Sequence, residues 1–405
     1  MKIISSRYTL IGNKIEENIA VAFSNKIEAI GKLEDLKDQF PTAEIVEREN
    51  TLLMAGLINA HIHLEFSKNS TELNYGNFVN WLNSVIEKRT ELVSSCETEC
   101  IETVLDSLIK SGTTAIGAIS SYGFEFEALK KSPIRKVIFN ELIGSQPHQV
   151  DALWQNFLSR LEESSEFNSD RSTSSIAIHS PYSVHPILIR KAMEIATKRD
   201  IPVSTHFMES QAEREWLDSG KGDFKEFFEK FFNGSKPVNS AKNFLNGFSK
   251  PTAFTHCNYL SDSELQIFKE SNHTVSHCPR SNRLLGSRKL DINKLDSLGI
   301  EWNISTDGLS SNSSLSLWDE LQTALYLHSD REPKEFAFQL LKSVTEIPAK
   351  QLNLNSGKID IGRDSDLLLI DLKDDNFEDL SYIPLHLILR QYRIEKVFIG
   401  GDEVV

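Results

Sequence analysis

The chain has 405 residues, 40 % of them hydrophobic and 25 % charged, with a formal net charge of −14 and a pI of about 5.3. That acidity argues against sequence-independent nucleic-acid binding, and no apolar run approaches the roughly 18 residues of a membrane span. The N-terminus also lacks the long apolar core and small-residue cleavage site of a secretion signal, so a cytoplasmic protein with neither nucleic-acid nor membrane partners is expected.

From residue 1 to about 50, "KIISSRYTLI", "ENIAVAFSN", "KIEAIGK" and "AEIVERE" alternate apolar and polar positions. They predict small antiparallel strands. The C-terminal stretches "SGKIDIGRDSDLLLIDL" and "IEKVFIGGDEVV" read the same way. Both chain ends are therefore expected to build one small β-sandwich domain, residues 1–54 and 346–405. Between them, strand-like and helix-like segments alternate. After "LINAHIHLEF" (57–66), candidate strands lie at 113–119, 136–142, 175–180, 202–207, 252–257, 273–277 and 301–306. Helical patterns such as "FVNWLNSVIEKRTELV" and "PILIRKAMEIATKR" fall between them. Eight such alternations predict an α/β fold, a (β/α)8 TIM-type barrel over 55–345. The stretch "EESSEFNSDRSTSS", 162–175, is expected to be a surface loop. The four cysteines, Cys96, Cys100, Cys257 and Cys278, form no Cys-x-x-Cys pair, which argues against a structural zinc knuckle. Cys96 and Cys100, one helical turn apart, are expected as ordinary helix residues in a reducing compartment.

A barrel brings the C-terminal ends of its strands to one mouth, and polar residues collect there. His61 and His63 end the first strand and, two residues apart, share a face. His179 ends the fourth strand, His206 the fifth, His256 the sixth and His277 the seventh; Asp307 follows the eighth. Imidazole and carboxylate suit zinc or ferrous iron, and a catalytic ion keeps one position open for water. His61, His63, His206 and Asp307 can supply the ligands. No lysine follows the fourth strand to bridge a second ion, so a single divalent metal, zinc with iron as the alternative, is expected. Glu209, three residues after His206, can shuttle protons as general acid–base chemistry requires.

"NAHIHLEF", "HSPYSVHP", "STHFMES", "THCNYL", "SHCPRSN" and "STDGLSSNSSLSLWDEL" together resemble the amidohydrolase superfamily. The likeness is to its branch of cytosine, guanine, adenosine-type and S-adenosylhomocysteine deaminases and triazine chlorohydrolases, and it covers nearly the whole chain. It implies a mononuclear site in which His61, His63, His206 and Asp307 match the metal ligands and Glu209 the proton shuttle. His256 matches the histidine that orients the attacking water or the attacked centre, and Asp307 also accepts the water's proton. His179 matches a position that contacts substrate, and Trp81 an aromatic covering the nucleoside. Glu65 stands as a further nucleoside contact or, equally, as a structural carboxylate. His277 and Ser281-Asn282 resemble a structural turn. The implied reaction is hydrolytic loss of an exocyclic amine, with Glu209 protonating the adjacent ring nitrogen. Members of the family are often homodimers.

"CPRSNRLLGSRKL", 278–290, places Arg280, Arg283, Arg288 and Lys289 after the seventh strand of an acidic chain. Arginine binds carboxylate through paired hydrogen bonds, so Arg280 and Arg283 are expected to meet an anionic substrate group. The wording of "HIHLEFS", "SHCPRSNRLLG" and "STDGLSSNSSLSLWDEL" is most similar to the aminofutalosine deaminases. That implies an anionic adenine nucleoside, 6-amino-6-deoxyfutalosine, converted to futalosine and ammonia in menaquinone biosynthesis. Deamination of S-adenosylhomocysteine, methylthioadenosine or adenosine is the alternative, and a metal-free binding barrel the reading from a different class.

Overall fold

The computed structural model describes residues 1–68, 70–94, 96–232, 234, 236–373 and 375–405. Eight parallel strands form one sheet in strict chain order. They are β1 (Leu57–His63), β2 (Thr113–Ser120), β3 (Arg135–Leu142), β4 (Ser172–Ile178), β5 (Val203–Phe207), β6 (Ala253–His256), β7 (Thr274–His277) and β8 (Trp302–Ile304). Side-chain and backbone hydrogen bonds close the ring between β8 and β1. Asn59 Nδ2 donates to Thr306 Oγ1 at 2.7 Å, Thr306 N donates back to Asn59 Oδ1 at 3.3 Å, and Asp307 N donates to His61 O at 3.1 Å. The eight expected barrel strands are all present, and helices cover the outside.

These segments make buried strands because their apolar runs have no polar face. Every residue of β2, "TTAIGAIS", is buried, as parallel strands sandwiched between helices and a barrel interior require. At Gly117 any side chain would overlap the Ala60 carbonyl oxygen, so glycine lets β1 and β2 approach. Ile58, Ala60, Val137, Phe139 and Ala177 fill the barrel axis, closed at the base by Ala349 and Leu352.

Strands from both chain ends form a second sheet. Across it run Asp402–Glu403, Ile394–Ile399, Leu367–Asp371, Glu44–Ala55, Lys2–Ile11, Ala20–Phe23 and Ile27–Gly31, with Lys14–Glu17 paired to Lys2–Ile11. The strands are joined in one continuous mixed sheet. Its terminal strands are not all antiparallel as expected: Lys2–Ile11 and Glu44–Ala55 run parallel, because the helix Leu33–Gln39 carries the chain back between them. Alternation sorts the faces. Ile4, Val21, Phe23, Leu53 and Phe398 pack on one side, and Ile3, Ala20, Ala22 and Leu36 on the other. Arg135 at the start of β3 ties barrel to sheet by a buried fork onto Asp366, 2.8 and 3.1 Å.

Two further expectations are corrected. The loop expected over 162–175 is shorter, because the helix Val150–Ser165 runs into it and β4 already begins at Ser172. Cys96 and Cys100 are not two free helix thiols but a disulfide, with Cα atoms 5.4 Å apart. Cys96 lies just before the helix Thr98–Lys110 and Cys100 in its first turn, so the bond straddles the helix start. Cys257 and Cys278 are free and buried.

Candidate active site

The mouth of the barrel gathers three imidazoles and a carboxylate. His63 Nε2 lies 3.4 Å from His206 Nε2 and 3.5 Å from Asp307 Oδ1, and His61 Nε2 is 3.8 Å from the same oxygen. The outer nitrogens have other partners. His206 Nδ1 donates to the His179 carbonyl at 2.9 Å, and His61 Nδ1 is 3.2 Å from Thr255 Oγ1. A ring whose N–H is committed outward presents a bare nitrogen inward. Burial, reinforced by neighbouring imidazoles, pushes the His206 pKa down to about 3 and holds His61 well below its ordinary value. Both rings are therefore neutral.

Asp307 sits at φ 62°, in the left-handed region that a non-glycine residue seldom adopts. The turn aims Oδ1 at the histidines, while Oδ2 accepts from Ser281 Oγ and Ser311 Oγ, each at 2.7 Å. Burial works against its charge, but the imidazoles of His63, His256 and His206 and the Ser281 hydroxyl prevail, and its pKa is lowered.

Glu209 follows β5 and is buried. Burial, then the charges of Asp307 and Glu213, raise its pKa well above the carboxylate range, which favours its protonated form. Its position is set by Glu213, whose carboxylate accepts from Met208 N at 3.0 Å and Glu209 N at 2.8 Å. Ser210 caps the following helix through Glu213 N at 3.1 Å. Glu209 Oε1 is 3.3 Å from His256 Nε2. His256 is itself at φ 73°, and its Nδ1 is 2.8 Å from Asn282 Oδ1. His61, His63, His206, Asp307, Glu209 and His256 thus meet as one group.

His179 joins its edge, with its ring centroid 5.1 Å from that of His206 and Nδ1 2.6 Å from Ser183 Oγ. Trp81, on the helix Phe78–Ser94, donates Nε1 to Ser310 O at 2.8 Å, which ties the loop after β1 to the loop after β8. Three other residues fall elsewhere. Glu65 does not offer its carboxylate to a ligand: its two oxygens accept the backbone N–H groups of Ser121, Tyr122 and Gly123 at 2.7–3.1 Å. Of the two roles open to it, these bonds favour the structural one. Arg280 is likewise engaged within the chain, with Asn312, Ser313 and Glu320, so an anion would have to displace them. Arg283 is exposed and has no side-chain partner among the described residues.

The sequence reading missed several contributors. Ser281 and Asn282, read as a structural turn, bond directly to Asp307 and His256. Ser311 completes the Asp307 clamp. Glu141 at the end of β3 forms a second group with His179 and His206, its Oε1 4.0 Å from His206 Nδ1. The signal for Glu141 is an acid near the C-terminal end of a strand whose centre, Val137–Phe139, is apolar.

The donor set fits a divalent ion. His61 Nε2 is buried without a hydrogen-bond partner among the described residues, and the ligand atoms of His61, His63 and His206 lie within 4.8 Å of one another. Bare imidazole nitrogens beside one carboxylate oxygen are what zinc and ferrous iron take.

Comparison with known proteins gives the same picture. The model of the amidohydrolase family matches residues 52–404. The chain is 45% identical to an aminodeoxyfutalosine deaminase of a Nitratiruptor species, covering 100% of both. It is 32% identical to an adenosine deaminase of Helicobacter pylori, over 97% of this chain and 96% of that one. A crystal structure of Helicobacter pylori aminofutalosine deaminase with methylthio-coformycin superposes with a TM-score of 0.95, at 31% identity and 100% coverage of each chain.

Proposed function

Since the chain belongs to the amidohydrolase family, we propose that it is a hydrolytic deaminase converting 6-amino-6-deoxyfutalosine to futalosine and ammonia, a step of menaquinone biosynthesis. The observation that carries the choice of substrate is the full-length identity to the Nitratiruptor enzyme. His61, His63, His206 and Asp307 would hold one divalent ion, zinc in this reading, with iron as the other candidate. Such an ion supplies the Lewis acidity that makes water a nucleophile near neutral pH.

The side chains do the rest. Glu209, whose burial favours the protonated form, donates to the ring nitrogen beside the carbon that bears the amine. That draws electrons from the carbon and opens it to attack by water. Asp307 takes a proton from the attacking water, and His256 Nε2 accepts a hydrogen bond from that water and orients it. The C–N bond then breaks. Water's oxygen ends on the ring carbon and its two protons on the ring nitrogen and the departing ammonia, with Glu209 and Asp307 as carriers. His179 and Trp81 flank the base.

For the anionic end of the substrate, Arg283 is the remaining candidate. Arg280 is engaged as described, Arg288 Nε donates to Asn258 O, and Lys289 pairs with Asp330. The division into a 55–345 catalytic barrel with a domain of 1–54 and 346–405, a homodimeric assembly and a cytoplasmic location complete the proposal. Among the described residues no helix is long and apolar enough to cross a membrane.

The test is ammonia release by metal-analysed protein from aminodeoxyfutalosine, adenosine, methylthioadenosine and S-adenosylhomocysteine. The highest kcat/KM is expected for aminodeoxyfutalosine. A higher value for adenosine would favour the second reading, supported by the Helicobacter pylori adenosine deaminase relative.

A further inference from the structure

The side chains behind His256 form a directional chain of amides, and we propose that it is a tautomer lock. Asn258 and Asn282 hold His256 in the form protonated at Nδ1, so that Nε2 meets Glu209 with a free electron pair. The inference rests on the deaminase reading, in which Glu209 and His256 act together on one substrate.

The direction of the chain is fixed from one end. The Glu209 carbonyl can only accept, so the 3.1 Å contact from Asn258 Nδ2 orients that amide. Asn258 Oδ1 then faces Asn282 and receives its Nδ2–H at 3.0 Å. With Nδ2 so committed, Asn282 Oδ1 is the atom 2.8 Å from His256 Nδ1. An amide oxygen has no proton to give, so the imidazole must give one. A neutral ring carries a single N–H, and placing it on Nδ1 leaves Nε2 bare. That bare nitrogen lies 3.3 Å from Glu209 Oε1.

The second hydrogen of Asn282 Nδ2 points to His277 Nδ1 at 3.3 Å, which makes His277 the donor to His328, whose Nε2 is 3.3 Å from its own. Asn258, Asn282, His277 and His328 are each no more than 2% exposed. Solvent does not compete for these groups, and inverting either amide would set donor against donor and oxygen against oxygen. The lock also begins on the proton carrier itself: the Glu209 carbonyl, steadied further by Ser287 Oγ at 2.6 Å, sets which nitrogen of His256 is free. Asn258 and Asn282 are positioning residues, acting through His256.

The experiment is long-range proton–nitrogen NMR of zinc-loaded protein labelled with 15N-histidine, with His256 assigned from its loss in His256→Gln. Wild-type His256 is expected to be protonated at Nδ1 and bare at Nε2. In Asn282→Leu the proton should redistribute to Nε2, and kcat should fall about 10–100-fold, as for other residues that orient an active group through hydrogen bonds. KM should stay within about threefold, the mark of an interaction that matters after binding, and zinc content should be unchanged. Asn258→Leu, one link further out, should move both readouts in the same direction by less, and it decides the matter if Asn282→Leu does not fold. Finding the wild-type proton on Nε2, or the same tautomer in every variant, would overturn the lock. The wild-type spectrum needs no substrate. The expected tautomer in a protein that releases ammonia from no adenine nucleoside would therefore sink the deaminase reading and leave the lock standing.

Discussion

At the base of the barrel, Gln351 accepts from Thr274 and Asn303 and donates to Ser276, while Ala349 and Leu352 seal the apolar axis above it. At the mouth, His61 Nε2 and Glu141 Oε1 are buried with no hydrogen-bond partner among the described residues. Met208, His256, Cys257 and Asp307 hold positive φ angles just at or after strand ends. The base has such features too, but scattered: Thr113 Oγ1, Ser172 Oγ and His273 Nε2 are buried without a hydrogen-bond partner among the described residues, and Asp200 and Asn272 hold positive φ angles in the turns before their strands. The mouth concentrates four imidazoles, two buried acids and positive-φ turns within a few ångströms. The same eight strands serve both, so the difference lies in the few residues at each strand's end. Departures from local rules converge on one point where a ligand is to complete the set, and stay isolated from one another at the other end.

The comparison can be broken from the mouth first. Exhaustive chelation should abolish ammonia release and added zinc restore it, with the far-ultraviolet circular dichroism unchanged. Activity persisting in ion-free protein would contradict the assignment. Glu209→Gln keeps the shape and removes the acid, and kcat should fall about 10²–10⁴-fold at unchanged zinc content, checked by steady-state kinetics. Arg135→Met attacks the opposite end. It leaves Asp366 buried without its fork and should cost about 3–5 kcal/mol in denaturant unfolding, while kcat per folded molecule stays as in wild type.

A pH experiment sharpens the contrast. His273, packed among Phe248, Phe254 and Phe268 just before β7, has its pKa lowered by burial to about 4. The unfolded imidazole titrates near 6.5. Between these values the unfolded chain binds the extra proton, so stability should decline as pH falls from 6.5 toward 4 and be flat with respect to this residue above 6.5. His273→Phe should reduce that decline in a series of thermal melts. The smallest expected effect is at the rim. Arg283→Ala should raise KM for the anionic nucleoside about tenfold, the equivalent of roughly 1.4 kcal/mol, and leave KM for adenosine unchanged. Equal KM values for both proteins would remove Arg283 from the substrate.

The part of this site that could be read from sequence was the part written in rare residue types. A histidine at the end of one apolar run after another is visible without knowing where the runs go, and the structure gathers those histidines, His61, His63, His206 and His256, around Asp307. Ser281, Ser311 and Asn282 were hidden because serine and asparagine suit turns everywhere. Their meaning depends on what faces them across the mouth, and those partners come from other strands. Glu65 stays open in the sequence for the related reason that a carboxylate next to the His-x-His suits a ligand contact or a structural role until the loop after β2 is seen to wrap it. Charge density around Arg280 was legible, but not that Glu320 and Asn312 already hold it. In the terminal sheet, alternation gave the strands but not their direction, which the short helix at 33–39 reverses.

The strand Glu44–Ala55 lies between Lys2–Ile11 and Leu367–Asp371. During synthesis its first neighbour emerges at once, but the second leaves the ribosome only after nearly the whole chain has been made, tens of seconds later at roughly 5–20 residues per second. Throughout that interval the nascent polypeptide carries an uncovered apolar edge. Premature termination anywhere before residue 367 would therefore release a product prone to intermolecular pairing rather than a smaller working enzyme.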